Sequence, residues 1–199
     1  MLPGWNDAGS ERPIIVAKEW TLANPGLPGT HTFKALSYGS GTDRHRQEFG
    51  SGTTLRSRSV DGSRLIDGWN GAAGWARTRY WGFDAKALPL NGRVWMPEGV
   101  GPFPIVLIVH GNHDMEDFSD TGYAWLGEHF ASHGIVSVSV DENFLNSGYS
   151  DLLGRLDGGL EAENDARGWL LLEHLKQLRE WTSSQDNPFS GKLDFERVV

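Results

Sequence analysis

The sequence predicts an α/β chain, and three stretches carry that prediction. Phe103 to Val109 reads Phe-Pro-Ile-Val-Leu-Ile-Val without a polar break, the pattern of a strand buried on both faces of a parallel sheet. Ile135 to Val140 alternates Val136, Val138 and Val140 with Ser137 and Ser139, a second strand. Leu160 to Trp181 is the longest helical segment, with Glu161, Glu163 and Asp165 in its first turns, where the helix dipole favours acids. Strand–helix–strand–helix–strand over 100–199 requires right-handed parallel crossovers.

The elements before residue 100 read as mostly β. Residues 1–29 hold Pro3, Pro13, Pro25 and Pro28 and form an irregular lead-in, with one strand-like stretch at Pro13 to Ala17. Thr30 to Tyr38 has strand composition, Gly39 to Asp43 breaks it, and Arg44-His45-Arg46 reads as an exposed basic turn. Thr53 to Val60 alternates loosely, and Asp61-Gly62 before Arg64-Leu65-Ile66 signals a hairpin. Ala76 to Phe83 is an aromatic-rich strand candidate, and Leu90 to Met96 another. Residues 30–99 are thus a β-rich edge and 100–199 an α/β core of one domain.

Within that core, Thr121 to His133 is helical, with Tyr123, Leu126, Gly127 and Phe130 on one face and Gly134 placed as a C-cap. Asp141 to Gly159 is a long loop. In the last helix Leu171, Leu175 and Leu178 form a core stripe beside Leu172, and Asp186-Asn187-Pro188 ends it. Leu193 to Val199 starts a new strand.

Composition narrows the function classes. The net charge is −8, from 18 basic and 26 acidic residues, which argues against a nucleic-acid backbone as partner. Gly111 to Ala166 holds twelve acids against one base, Arg155, read as a solvated acidic surface or as an acidic rim that disfavours anionic substrates. The absence of cysteine excludes a thiol nucleophile and thiolate metal sites. No apolar run approaches the ~18 residues of a membrane span, and the first residues lack the pattern of a secretory signal. The expectation is a soluble chain, slightly favouring the cytoplasm, with no oligomeric state indicated.

Chemistry is expected where the Phe103–Val109 strand stops at His110-Gly111-Asn112. Glycine permits a tight turn there, and ligands of open α/β sheets bind beyond the carboxyl ends of strands. From Leu90 to Val199 the order of elements resembles the α/β-hydrolase family. A strand ending Trp95-Met96-Pro97 precedes a buried strand ending in His-Gly, then come a helix, a strand ending at Val140-Asp141, a long helix and a further strand. The resemblance implies a partial α/β-hydrolase fold and ester or related acyl hydrolysis by a serine, a histidine and an acid, without a cofactor. It also implies that the main-chain N–H of Asn112 donates to the oxyanion, and that His113 lines the substrate side of the same corner.

No G-x-S-x-G elbow occurs in the 199 residues. The serine, acid and base histidine are therefore expected after Val199, and this chain alone is expected to be inactive and unstable, with an unpaired buried sheet edge. His110 reads as a packing residue that hydrogen-bonds the loop, and Asp141 and Glu142 as solvated loop acids. Two other classes compete. Gly111-Asn112-His113-Asp114, with Asp43-Arg44-His45, resembles blocks of the calcineurin-like metallophosphoesterases, whose Asn and His ligate a two-metal centre. Trp69, Trp75, Trp81 and Trp95 could form a sugar-stacking face on a non-enzymatic module, although tryptophans on a half-buried sheet more often fill core.

Overall fold

The computed structural model describes residues 24–146, 160 and 163–199. The expected Pro13–Ala17 strand and most of the 141–159 loop lie outside the described residues. Five strands make the main sheet: β1 (Phe33–Tyr38), β4 (Asn91–Pro97), β5 (Phe103–Val109), β6 (Val136–Asp141) and β7 (Leu193–Val198). Their order is β1-β4-β6-β5-β7. β4 runs antiparallel to both neighbours, with Val94 opposite Leu36 and Val138. β5 is parallel to β6 on one side and to β7 on the other. Two short strands, β2 (Ser59–Val60) and β3 (Leu88–Pro89), pair separately.

Helices cover both faces of this mixed α/β sheet. α2 (Ala124–Ser132) follows a 3-10 turn at Ser119–Tyr123 and stops before Gly134, as the sequence predicts. It packs so closely that a Cβ on Gly127 would stand 2.3 Å from the Trp95 ring. α3 (Glu163–Ser183) covers the opposite face. The alternation of β6 sorts by face. Val136, Val138 and Val140 join Val94, Met96, Leu178 and Phe189 in one apolar cluster, while Ser137 and Ser139 point the other way. Their hydroxyls donate to the carbonyls of Gly127 and Asp120, at 3.1 and 2.9 Å, so β6 is buried along its whole length. Each fully buried aliphatic side chain contributes about 1.5–3 kcal/mol.

Several expectations are overturned. The Ala76–Phe83 strand is instead part of a helix, α1 (Gly71–Trp81). Its buried positions, Gly74, Arg77 and Trp81, follow helical spacing, and it ends at Gly82 in the left-handed region, φ 85°. The Asp61-Gly62 hairpin is absent: Asp61 accepts the Ser63 N–H in an Asx turn, and Ser59–Val60 pairs with Leu88–Pro89. β5 is covered less than expected, with Val106 to Val109 half-buried. β7 forms one edge of the sheet, with Glu196, Arg197 and Val198 exposed. On α3 the buried stripe is Ala166, Leu170, His174 and Leu178 with Arg167, Glu173 and Gln177, whereas Leu172 is 56% exposed. Polar positions entered that stripe because they found partners. Tyr38 and His174 Nδ1 share a 2.6 Å hydrogen bond, and Arg58 N–H donates to Gln177 at 3.0 Å.

Candidate active site

The carboxyl end of β5 is the corner that the sequence singles out. His110 is 3% exposed, whereas Gly111 and Asn112 face solvent. Gly111 is not in the left-handed region, so the turn does not demand glycine. Among the described residues, a Cβ there would meet nothing within 4 Å. The Asn112 amide donates to Glu163 Oε1 at 2.7 Å, tying the corner to the start of α3.

His110 hydrogen-bonds its own loop, as expected. The Glu142 main-chain N–H donates to Nε2 at 3.2 Å, and Nδ1 lies 2.9 Å from the Gly111 carbonyl. Burial holds its pKa below the usual histidine value. His113 stands beside it, ring centroids 5.3 Å apart. Its Nδ1 lies 2.8 Å from the Asp114 carbonyl, so Nε2 is the acceptor for the Ser119 hydroxyl. The Asn146 amide approaches the same ring at 3.3 Å.

Under the corner the acids are not solvated. Asp141 and Glu142 are buried, at 1% and 0% exposure, which corrects their reading as loop acids. Arg46 is buried too and does not belong to an exposed basic turn. Its guanidinium pairs with Asp43 at 2.9 Å, with Asp120 at 2.9 Å and with Asp141, and lies 4.4 Å from the Phe118 ring centroid. Arg93 pairs with Asp120 from the other side at 2.6 Å. Burial pushes the Asp141 carboxyl up, but Arg46 outweighs it and holds the group below the usual carboxylate range. Asp120 goes the other way, raised by its own burial and by the facing Asp141 charge.

Glu142 has poorer company. Arg167 reaches its Oε2 at 3.3 Å, and Oε1 has no hydrogen-bond partner among the described residues. Burial therefore pushes its carboxyl up to about 8. Arg167 spends its better contact on Asn146 Oδ1, at 2.6 Å, and Arg77 holds the Phe144 and Asn146 carbonyls at 2.8 and 2.9 Å. These residues fix the loop after β6 against α1 and α3.

The rival constellations are not assembled. Asp43 is bound to Arg46, and His45 lies 3.0 Å from the Tyr80 carbonyl, stacked on the Tyr80 ring. Neither is joined to Asn112 or His113, and among the described residues no three His, Asp or Glu side chains gather to hold a metal ion. Of the four tryptophans, Trp81 and Trp95 are core and Trp69 packs against it, leaving Trp75 exposed at 70%. No helix among the described residues is long and apolar enough to cross a membrane.

Sequence reasoning missed Arg46, Arg77, Asp120, Asn146 and Arg167. Arg77 and Arg167 lie inside helices, Asp120 in the 3-10 turn and Arg46 between elements, so no local sequence pattern marked them as one group. No protein-family model matches this chain, and a search of curated proteins finds no match to it.

Proposed function

We propose that this chain supplies the oxyanion-binding corner of a serine-type hydrolase acting on small-molecule esters or related acyl compounds. The observation that carries the reading is the exposed Gly111–Asn112 peptide at the carboxyl end of β5, between the parallel strands β6 and β7. In the family that the sequence resembles, this is where an oxyanion is held. The sheet order β1-β4-β6-β5-β7 with an antiparallel β4 supports the same partial α/β-hydrolase fold.

In this reading the Asn112 main-chain N–H stabilises the tetrahedral intermediate, a contribution of about 3–4 kcal/mol where such donors have been removed. His113 lines the substrate side. In that family the nucleophile sits in a G-x-S-x-G elbow, and none lies within the 199 residues, so the chain itself is assigned no nucleophile. Ser119 and His113 do share a hydrogen bond, but His113 Nδ1 is turned to a main-chain carbonyl rather than a carboxylate, so they are assigned no triad role.

The test has two arms. The coding sequence past Val199 should specify G-x-S-x-G within about ten codons, the spacing of an elbow that follows its strand. The protein carrying both parts should hydrolyse p-nitrophenyl acetate and be labelled by a fluorophosphonate, while residues 1–199 alone should do neither. Phosphonate-sensitive turnover by the 199-residue chain would sink the assignment of the nucleophile.

A further inference from the structure

We propose that His129 and His133, at the C-terminal end of α2, form a binding site for a late transition-metal ion of the Ni²⁺, Cu²⁺ or Zn²⁺ class. The site does not depend on the acyl-hydrolase reading. The two histidines are four positions apart, one helical turn, and so share a face. His129 lies in the last turn of α2, and His133 follows that helix with near-helical backbone, φ −92° and ψ 9°. Their ring centroids are 4.7 Å apart. A metal about 2.1 Å from one nitrogen of each ring, at an angle of about 90–109°, places the centroids about 4.6–5.3 Å apart. The observed spacing falls in that range.

One hydrogen bond prepares the pair. His133 Nε2 lies 2.9 Å from the Leu27 carbonyl, which can only accept, so the proton is on Nε2 and Nδ1 of the neutral ring keeps its lone pair. Metal-binding histidines are commonly held in this way, with the other ring N–H given to a main-chain carbonyl. The Leu27 end of this bond is itself fixed. Gly29 N–H donates to Ser132 Oγ and His31 N–H to the Ser132 carbonyl, both at 2.9 Å. The His129 ring has no hydrogen bond among the described residues. It borders an open groove with Pro28, Phe33 and Trp125, which leaves room for the water ligands that would complete the coordination.

The other close histidine pair lacks this freedom. His110 and His113 have centroids 5.3 Å apart, but all four of their ring nitrogens have partners. Of the two pairs, only that on α2 offers a lone pair on each ring. Its position also helps, because the C-terminal end of a helix carries partial negative charge and favours a bound cation. No third His, Asp or Glu side chain joins the two among the described residues. Two imidazoles and water suit Ni²⁺, Cu²⁺ or Zn²⁺, whereas Mg²⁺ and Ca²⁺ take oxygen ligands.

The 199-residue chain, freed of metal and carrying no affinity tag, is titrated in a calorimeter with Cu²⁺, Ni²⁺, Zn²⁺ and Mg²⁺ in turn. Cu²⁺ should bind most tightly and Mg²⁺ should not bind. His129→Ala and His133→Ala should each weaken Ni²⁺ binding at least about tenfold, because the second of two linked ligands binds at high effective concentration. His129 is half-buried and His133 exposed, so both variants should fold as the wild type does, which circular dichroism checks. A loss of less than about tenfold in either variant, or equal affinity for Mg²⁺, overturns the proposal.

A second readout needs no variant. Imidazole ¹⁵N shifts of the wild-type chain with Zn²⁺ should show His133 bound to metal through Nδ1, with Nε2 still protonated. Metal on His133 Nε2, or on no nitrogen of either ring, overturns the proposal.

Discussion

Two buried ion clusters meet at the carboxyl end of β6, and adjacent residues divide them. Asp141 sits in the Arg46 cluster, where both carboxylate oxygens accept hydrogen bonds and cation–π contacts brace the guanidinium. Glu142 is as deeply buried but, among the described residues, has one long contact to Arg167 and an oxygen without a hydrogen-bond partner. The first carboxyl is held ionised, and the second is pushed up to about 8. Burial is the same for both. What differs is the number of donors, and that number decides which acid is an anchor and which is a neutral filler.

Removing Arg46 should have the largest effect. Arg46→Met would leave Asp43, Asp120 and Asp141 without their shared cation, and breaking a buried pair from one side costs about 3–5 kcal/mol. Urea unfolding measures it, and a loss under about 1 kcal/mol would break the contrast between the clusters. Arg167→Met should cost less, about 1–3 kcal/mol, because its partner Glu142 is already largely neutral and the Asn146 hydrogen bond is the main loss. Equal costs at Arg46 and Arg167 would mean that donor count does not rank the two clusters.

Glu142 offers a pH test of smaller size. Its folded pKa lies above the unfolded one, so between about pH 4.5 and 8 the folded state binds more protons than the unfolded state. Its contribution is therefore full at low pH and is lost as pH rises through about 8. Glu142→Gln should remove that decline and raise stability at pH 9 by about 1 kcal/mol or more, the worth of one pKa unit. Thermal unfolding from about pH 6 to 9 measures the slope, and an unchanged slope in the variant would show that Glu142 is ionised throughout.

The same contrast explains what was legible in the sequence. Strands β4, β5, β6 and β7, and helices α2 and α3, were read from apolar pattern because pattern reports which faces leave water. Pattern failed where polar groups were buried with partners. The alternation of Ser137 and Ser139 with valines marks β6 as a strand but not that it is buried throughout, while the wholly apolar β5 is only half-covered. Of the Leu171, Leu175 and Leu178 stripe on α3 only Leu178 is fully buried, because His174 and Gln177 hold buried positions through Tyr38 and the Arg58 main chain. α1 was missed because the aromatics of Ala76 to Phe83 resemble a strand, although Trp75 and Trp81 project to different environments. At the site, the end of β5 was legible from where the apolar run stops at His110. The charges beneath it were not, because Arg46 and Asp120 are 74 residues apart and no local signal joins them.

The smallest effect should come from Ser119→Ala, and it sharpens the contrast from the exposed side. Ser119 donates to His113 Nε2 on the rim of the corner, and both residues are half-buried, so water can replace the lost hydroxyl. A hydrogen bond that water can replace contributes about 0.5–1.5 kcal/mol at most, and the variant should lose less than about 1 kcal/mol in urea unfolding. A loss as large as that of Arg167→Met would place the rim on the same footing as the buried clusters. His113 would then be held by a structural contact rather than left to meet a ligand, and its assignment as a substrate-lining residue would fail.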